Sequence, residues 1–141
     1  MENDKKEIVT KRIFQAKKEN LDAVIGFIED ELRLAGYDEK IFVKMSIASE
    51  ELFVNVCNYG YPDSQGDVEV SVLRSNDSFN VTFSDTGVPF NPLEHEDIDI
   101  HSSIVERPIG GLGIIMVKKW ADEVLYRYED GKNKVTISKR M

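Results

Sequence analysis

The chain has 141 residues, 41% of them hydrophobic and 31% charged, with a formal net charge of −8. That length suits one domain over residues 1–141 with a single core, and the acidic balance argues against nonspecific binding to DNA, RNA or an anionic membrane. One cysteine, Cys57, excludes an internal disulfide and a multi-cysteine zinc site.

No charged-then-apolar leader opens the chain and no apolar run approaches membrane-spanning length, so the expectation is a soluble cytoplasmic protein. Residues 7–15 are rich in β-branched side chains and predict a first strand. Asn20 is placed to cap a helix whose apolar positions Leu21, Val24, Ile25, Ile28 and Leu32 follow helical spacing, with Gly36 just beyond. A second helix is expected from near Asp38 to about Tyr59. Cys57 falls on its apolar stretch and reads as a buried, inert thiol.

Val68, Val70 and Val72, then Phe79, Val81 and Phe83, alternate with polar residues and predict two strands around the turn Ser75-Asn76-Asp77-Ser78. Residues 91–109 are polar and bounded by Pro92 and Pro108, the pattern of a long loop with one short helical turn. A helix over 112–120 and strands near 123–129 and 133–139 follow, the last two flanking the hairpin signal Asp130-Gly131. The order β-α-α-β-β-α-β-β predicts an α+β two-layer sandwich, with helices on one face of a mostly antiparallel sheet.

On the second helix, Ile41, Met45, Ala48, Leu52 and Val56 share the side that faces the sheet. Glu51, Asn55 and Asn58 form a neighbouring stripe, and Glu50 points away. An amide oxygen one turn from a carboxylate suits Mg²⁺, which prefers oxygen ligands, while the carboxylate can take a proton from an attacking hydroxyl. On spacing alone, both residues would sit on a solvated helix surface. Asp85 closes a strand, where it could form a turn or accept a hydrogen bond from an exocyclic amine such as that of adenine. Gly87 permits a positive φ or the close approach of a planar base.

Gly110, Gly111 and Gly113 open a helix whose first amides and positive dipole end suit phosphate. An acid at a strand end, a glycine turn, a polar span and a glycine hinge together describe a nucleotide site and argue for ATP. His95 and His101 lie in the polar span without a third metal ligand and read as solvated. Tyr126 and Tyr128 read as packing residues.

The ordered set Glu51-Leu-Phe-Val-Asn55, Asp85-Thr-Gly-Val-Pro-Phe-Asn-Pro and Gly110-Gly-Leu-Gly-Ile114 resembles the N, G1 and G2 boxes of the GHKL ATPase/kinase superfamily. The short chain and the form of the boxes look like those of bacterial anti-sigma factor serine-protein kinases, which phosphorylate STAS-type anti-anti-sigma partners. The resemblance covers nearly the whole chain and implies the Bergerat ATP-binding fold with ATP and Mg²⁺ as cofactors. It makes Asn55 the Mg²⁺ ligand, Glu51 the general base and Asp85 the adenine contact, with Gly87 bordering the base. Gly110, Gly111, Leu112 and Gly113 become the hinge beside the phosphates, and residues 91–109 a lid ordered by nucleotide.

A STAS-type protein and a sigma factor are the implied partners, and proteins of this kind commonly form homodimers. Two positions stand apart. Tyr59 occupies a place where many of these kinases carry histidine, and Arg107 has no assigned family role. A histidine-kinase reading is disfavoured for want of a phosphoacceptor hairpin, and a gyrase- or chaperone-like one for want of transducer domains. The alternative is a nucleotide-gated regulator that binds a protein without efficient phosphoryl transfer, but the glutamate at 51 favours the kinase.

Overall fold

The computed structural model describes residues 7–62, 64–94 and 111–140, with only the backbone described at 111–113. Gly110, Arg107, both histidines and the span 95–109 lie outside the described residues, as does most of the expected lid. The elements are β1 (Ile8–Gln15), α1 (Leu21–Ala35), α2 (Glu39–Asn55), β2 (Asp67–Arg74), β3 (Ser78–Asp85), α3 (Gly111–Trp120), β4 (Glu123–Glu129) and β5 (Lys132–Arg140). The five strands form one antiparallel sheet in the order β1-β2-β3-β5-β4. The result is an α+β fold.

Alternation along the strands decides which face is covered. Val68, Val70 and Val72 on β2, Phe79, Val81 and Phe83 on β3, and Val135 and Ile137 on β5 are all buried. Their register sets Val70 against Phe83 and Phe83 against Val135, with Val72, Val81 and Ile137 forming the next row. Onto these rows pack Val24, Ile28 and Leu32 of α1, Met45, Ala48 and Leu52 of α2, and Ile114 and Val117 of α3. The intervening residues Ser71, Thr82 and Thr136 sit half-buried on the other face, where the Thr82 and Thr136 hydroxyls bond at 2.7 Å. Removing these apolar rows from water, at roughly 25 cal/mol per Å², is the main drive for the layered arrangement.

Local chemistry sets the boundaries. Asp38 caps α2, its carboxylate accepting the Ile41 N–H at 3.0 Å. Gly36 ends α1 in the left-handed region at φ 80°, its N–H donating to the Leu32 and Arg33 carbonyls. Asp130 and Gly131, at φ 55° and 73°, join β4 to β5, the positive pair that a tight two-residue hairpin requires.

The sequence expectation fails at two of these boundaries. Asn20 does not cap α1: a 3₁₀ turn over Lys18–Asn20 leads straight into the helix. The Asn20 amide instead donates to the Gln15 carbonyl at 2.9 Å, securing the exit from β1. The second helix does run toward Tyr59, but its α-helical part stops at Asn55 and continues as a π-helical turn over Val56–Gly60. A π turn carries one residue more per cycle and re-aims the side chains beyond it, and such turns are frequent at functional sites. Among the described residues, no helix is long and apolar enough to cross a membrane.

One charge pair ties helix to sheet. Glu31, 8% exposed on α1, accepts Arg74 Nε at 3.0 Å and the Thr10 hydroxyl at 3.2 Å through the same oxygen. Losing only one partner strands a desolvated charge. Arg74→Met should therefore lower unfolding free energy by about 2–3 kcal/mol in urea titrations. Glu31→Leu combined with Arg74→Met should cost less than Arg74→Met alone.

Candidate functional site

The end of α2, the π turn, the end of β3 and the start of β5 converge on one pocket. Its walls are Leu52, Val56, Phe83, Phe90, Pro92 and Val135, with Gly60 at one side and three polar side chains, Asn55, Asp85 and Asn133. These three are 6%, 6% and 3% exposed. A mostly apolar slot with a few fixed polar groups is the form that small-molecule sites take. Asn55 and Asp85, 30 positions apart by their numbering, thus reach one pocket. Glu51 lies one helical turn before Asn55, just outside the lining. Gly111, Leu112 and Gly113 form the first turn of α3.

Asp85 ends β3 as an Asx turn, its Oδ1 accepting the Gly87 N–H at 2.9 Å. The same oxygen accepts Asn133 Nδ2 at 3.0 Å. Burial pushes the Asp85 carboxyl above the usual carboxylate range, and the bonds from Asn133 and Gly87 pull it back. Sequence reasoning passed over Asn133. The signal was its place in phase with Val135 and Ile137 on an alternating strand, which puts an amide on the buried face.

Residues 86–90 form a strap pressed against the π turn. A Cβ on Gly87 would stand 2.1 Å from the Gly60 carbonyl oxygen, which also accepts the Val88 N–H at 2.9 Å. Close backbone approach, with no positive φ, is what demands glycine at position 87. The Tyr61 hydroxyl accepts the Thr86 N–H at 3.0 Å and donates to the Asp67 carbonyl. At the far end, Phe90 donates its N–H to Asn133 Oδ1 at 3.0 Å and stacks on Tyr59, ring centroids 4.5 Å apart. Tyr59 thus sits face to face with the end of the strap. Tyr126 is half-buried and gives its hydroxyl hydrogen to Asn133 Oδ1, a contact beyond the packing role expected of it, while Tyr128 is exposed. Cys57 is only half-buried, and burial pushes its thiol up to about 11. Such a thiol stays protonated at neutral pH.

Glu51 departs furthest from the solvated position that spacing alone implies. It is 7% exposed, and its Oε2 has no hydrogen-bond partner. Burial raises its pKa to about 7; the Asn55 side chain draws it down and the Glu50 charge adds to the rise. The carboxyl is therefore poised to lose its proton near neutral pH.

Two outcomes follow from this geometry. Gly87→Ala must move backbone and should lower stability by at least about 2 kcal/mol. Gly60→Ala, whose added Cβ would meet its nearest atom at 3.5 Å, should melt close to the parent; equal melting temperatures for Gly87→Ala and the parent would contradict the contact. A carboxyl with a raised folded-state pKa is easiest to hold below its unfolded value, and its contribution to stability is lost as pH rises through about 7. Glu51→Gln should therefore leave stability unchanged near pH 4 and raise it by about 1–3 kcal/mol at pH 8–9. Thermal melts across that range give the comparison.

Residues 14–139 match the histidine kinase-like ATPase domain. A search of curated proteins finds no match to the chain. The match runs from the end of β1 almost to the end of β5, so it takes in the pocket, the strap and the buried glutamate together. The chain belongs to the histidine kinase-like ATPase family of the GHKL type, and the domain implies that it binds ATP.

Proposed function

We propose that the protein is an ATP- and Mg²⁺-dependent protein-serine kinase that phosphorylates a STAS-type anti-anti-sigma partner and so acts as an anti-sigma regulatory factor. The observation that carries this reading is Glu51, a buried carboxyl with an unpartnered oxygen and a pKa of about 7, one turn before Asn55. A regulator that only held nucleotide would gain nothing from it. The partner class is supported by the resemblance of the three boxes to those of anti-sigma factor kinases.

The donor set fits Mg²⁺. Asn55 lines the pocket, 6% exposed, and its carboxamide offers the hard oxygen that Mg²⁺ prefers. Mg²⁺ usually takes few protein ligands and completes its shell with phosphates and water. When bound at Asn55 it would neutralise charge on the phosphates.

The chain's own residues supply the remainder. Asp85 accepts the exocyclic amine of the base, and the amides opening α3 face the phosphates. Glu51 takes the proton of the partner's seryl hydroxyl as its oxygen attacks the γ-phosphorus, and ADP leaves. Such transfer depends on positioning and electrostatics.

Incubation of the protein with labelled ATP and each candidate STAS protein of the same organism, followed by mapping of the modified residue, tests the assignment directly. Glu51→Gln should keep nucleotide affinity and lose transfer by on the order of a hundredfold. The parent rate should rise with pH through about 7, as Glu51 ionises. Nucleotide binding without transfer to any STAS protein would leave a nucleotide-gated regulator as the function.

A further inference from the structure

Asn133 is the most fully engaged polar side chain of the pocket. Its Nδ2 donates to Asp85 Oδ1 at 3.0 Å and to the Val88 carbonyl at 2.8 Å, with the Gly87 carbonyl farther off at 3.4 Å. Its Oδ1 accepts from the Phe90 N–H at 3.0 Å and from the Tyr126 hydroxyl. A carboxamide has two donors and two acceptor sites, and here the protein uses all four. Asn133 lines the pocket with nothing left to offer a ligand.

The consequence falls on Asp85. Both bonds to its carboxylate, from the Gly87 N–H and from Asn133, enter through Oδ1. Oδ2 receives none among the described residues and is an acceptor the pocket has to spare beside the base-side wall. A carboxylate tethered through one oxygen from two directions cannot swing or exchange its oxygens freely. The same amide holds Val88 and Phe90, so the acceptor and the strap beside it are set in one arrangement by one residue.

We propose that Asn133 is a positioning residue that sets base selectivity: it holds Asp85 so that Oδ2 meets the exocyclic amine of an adenine base, without itself touching the nucleotide. This rests on Asp85 reading that amine, the reading given above. The side chain must be an amide to do this. A carboxylate of the same shape would set acceptor against acceptor at Asp85, and an apolar side chain would leave Asp85 Oδ1 with a single donor.

The test is the affinity of the full chain for ATP and for purine riboside triphosphate, which lacks only the 6-amino group, by calorimetry. The parent should prefer ATP by at least about tenfold. Asn133→Leu should bring that preference to within about threefold while binding the purine analogue nearly as well as the parent. Tyr126→Phe, which keeps the amide but removes one of its donors, should show a preference between the two.

A parent that binds both nucleotides equally would overturn the reading of Asp85 and this proposal with it. A parent that prefers ATP, with variants that weaken both nucleotides by the same factor, would overturn the proposal alone, because a purely structural asparagine lowers affinity without changing the ratio. Should Asn133→Leu fail to melt cooperatively, Tyr126→Phe decides: a reduced preference supports the proposal and an unchanged one overturns it.

Discussion

Gly87 has no room for a side chain, and much of the pocket depends on that. Its backbone lies so close to the Gly60 carbonyl that even a methyl group would enter van der Waals overlap. This contact seats the strap on the π turn, and the strap brings Phe90 and Pro92 to the pocket wall. Three independent tethers hold it there: the Gly60 carbonyl, the Tyr61 hydroxyl and the Asn133 amide. The side of the pocket next to Asp85 is therefore built before any ligand arrives, which lowers the ordering cost of binding.

The same region concentrates what a stable fold would avoid. Glu51 and Asp85 are carboxyls withdrawn from water, with no cation bonded to either among the described residues. Elsewhere the molecule handles a buried acid differently, giving Glu31 both an arginine and a hydroxyl. The contrast separates structural from chemical use of the same functional group. The Glu31 carboxyl ties helix to sheet, whereas Glu51, with an unpartnered oxygen and a pKa raised to about 7, can exchange a proton. Departures from local rules gather at sites where function requires them.

The strands, their facing, the start of α2 near Asp38 and the Asp130-Gly131 hairpin were legible in the sequence because each rests on short-range chemistry, namely period-two alternation, helical spacing and residues suited to positive φ. So were the ends of α1 and α3 to within a residue. Asn20 misled because a cap needs an extended backbone before the helix, and here a 3₁₀ turn supplies a nearly helical one. The π turn has no sequence mark, since it depends on how the chain must leave the core to meet the strap. Asn55 and Asp85 were singled out by motif, and their shared pocket is a fact of tertiary structure. The burial of Glu51 contradicts its helical spacing and becomes visible only when the neighbouring elements are in place. Asn133 carried a faint signal in its alternation, and Tyr61 and Gly60 carried none.

The connectivity of the sheet has a further meaning for folding. The bond between Asp85 and Asn133 spans 48 positions, with α3 and β4 between them in sequence, and it forms only when β5 lies beside β3. Tyr37, at the end of α1, closes a still wider loop by donating to the Lys139 carbonyl 102 positions away. Contacts so distant along the chain form late and raise the barrier to folding. A chain emerging from synthesis thus has no complete pocket until β5 is in place. Nucleotide then binds the finished fold in preference to any partial one and stabilises it by mass action, so occupancy of the pocket reports that the sheet is complete.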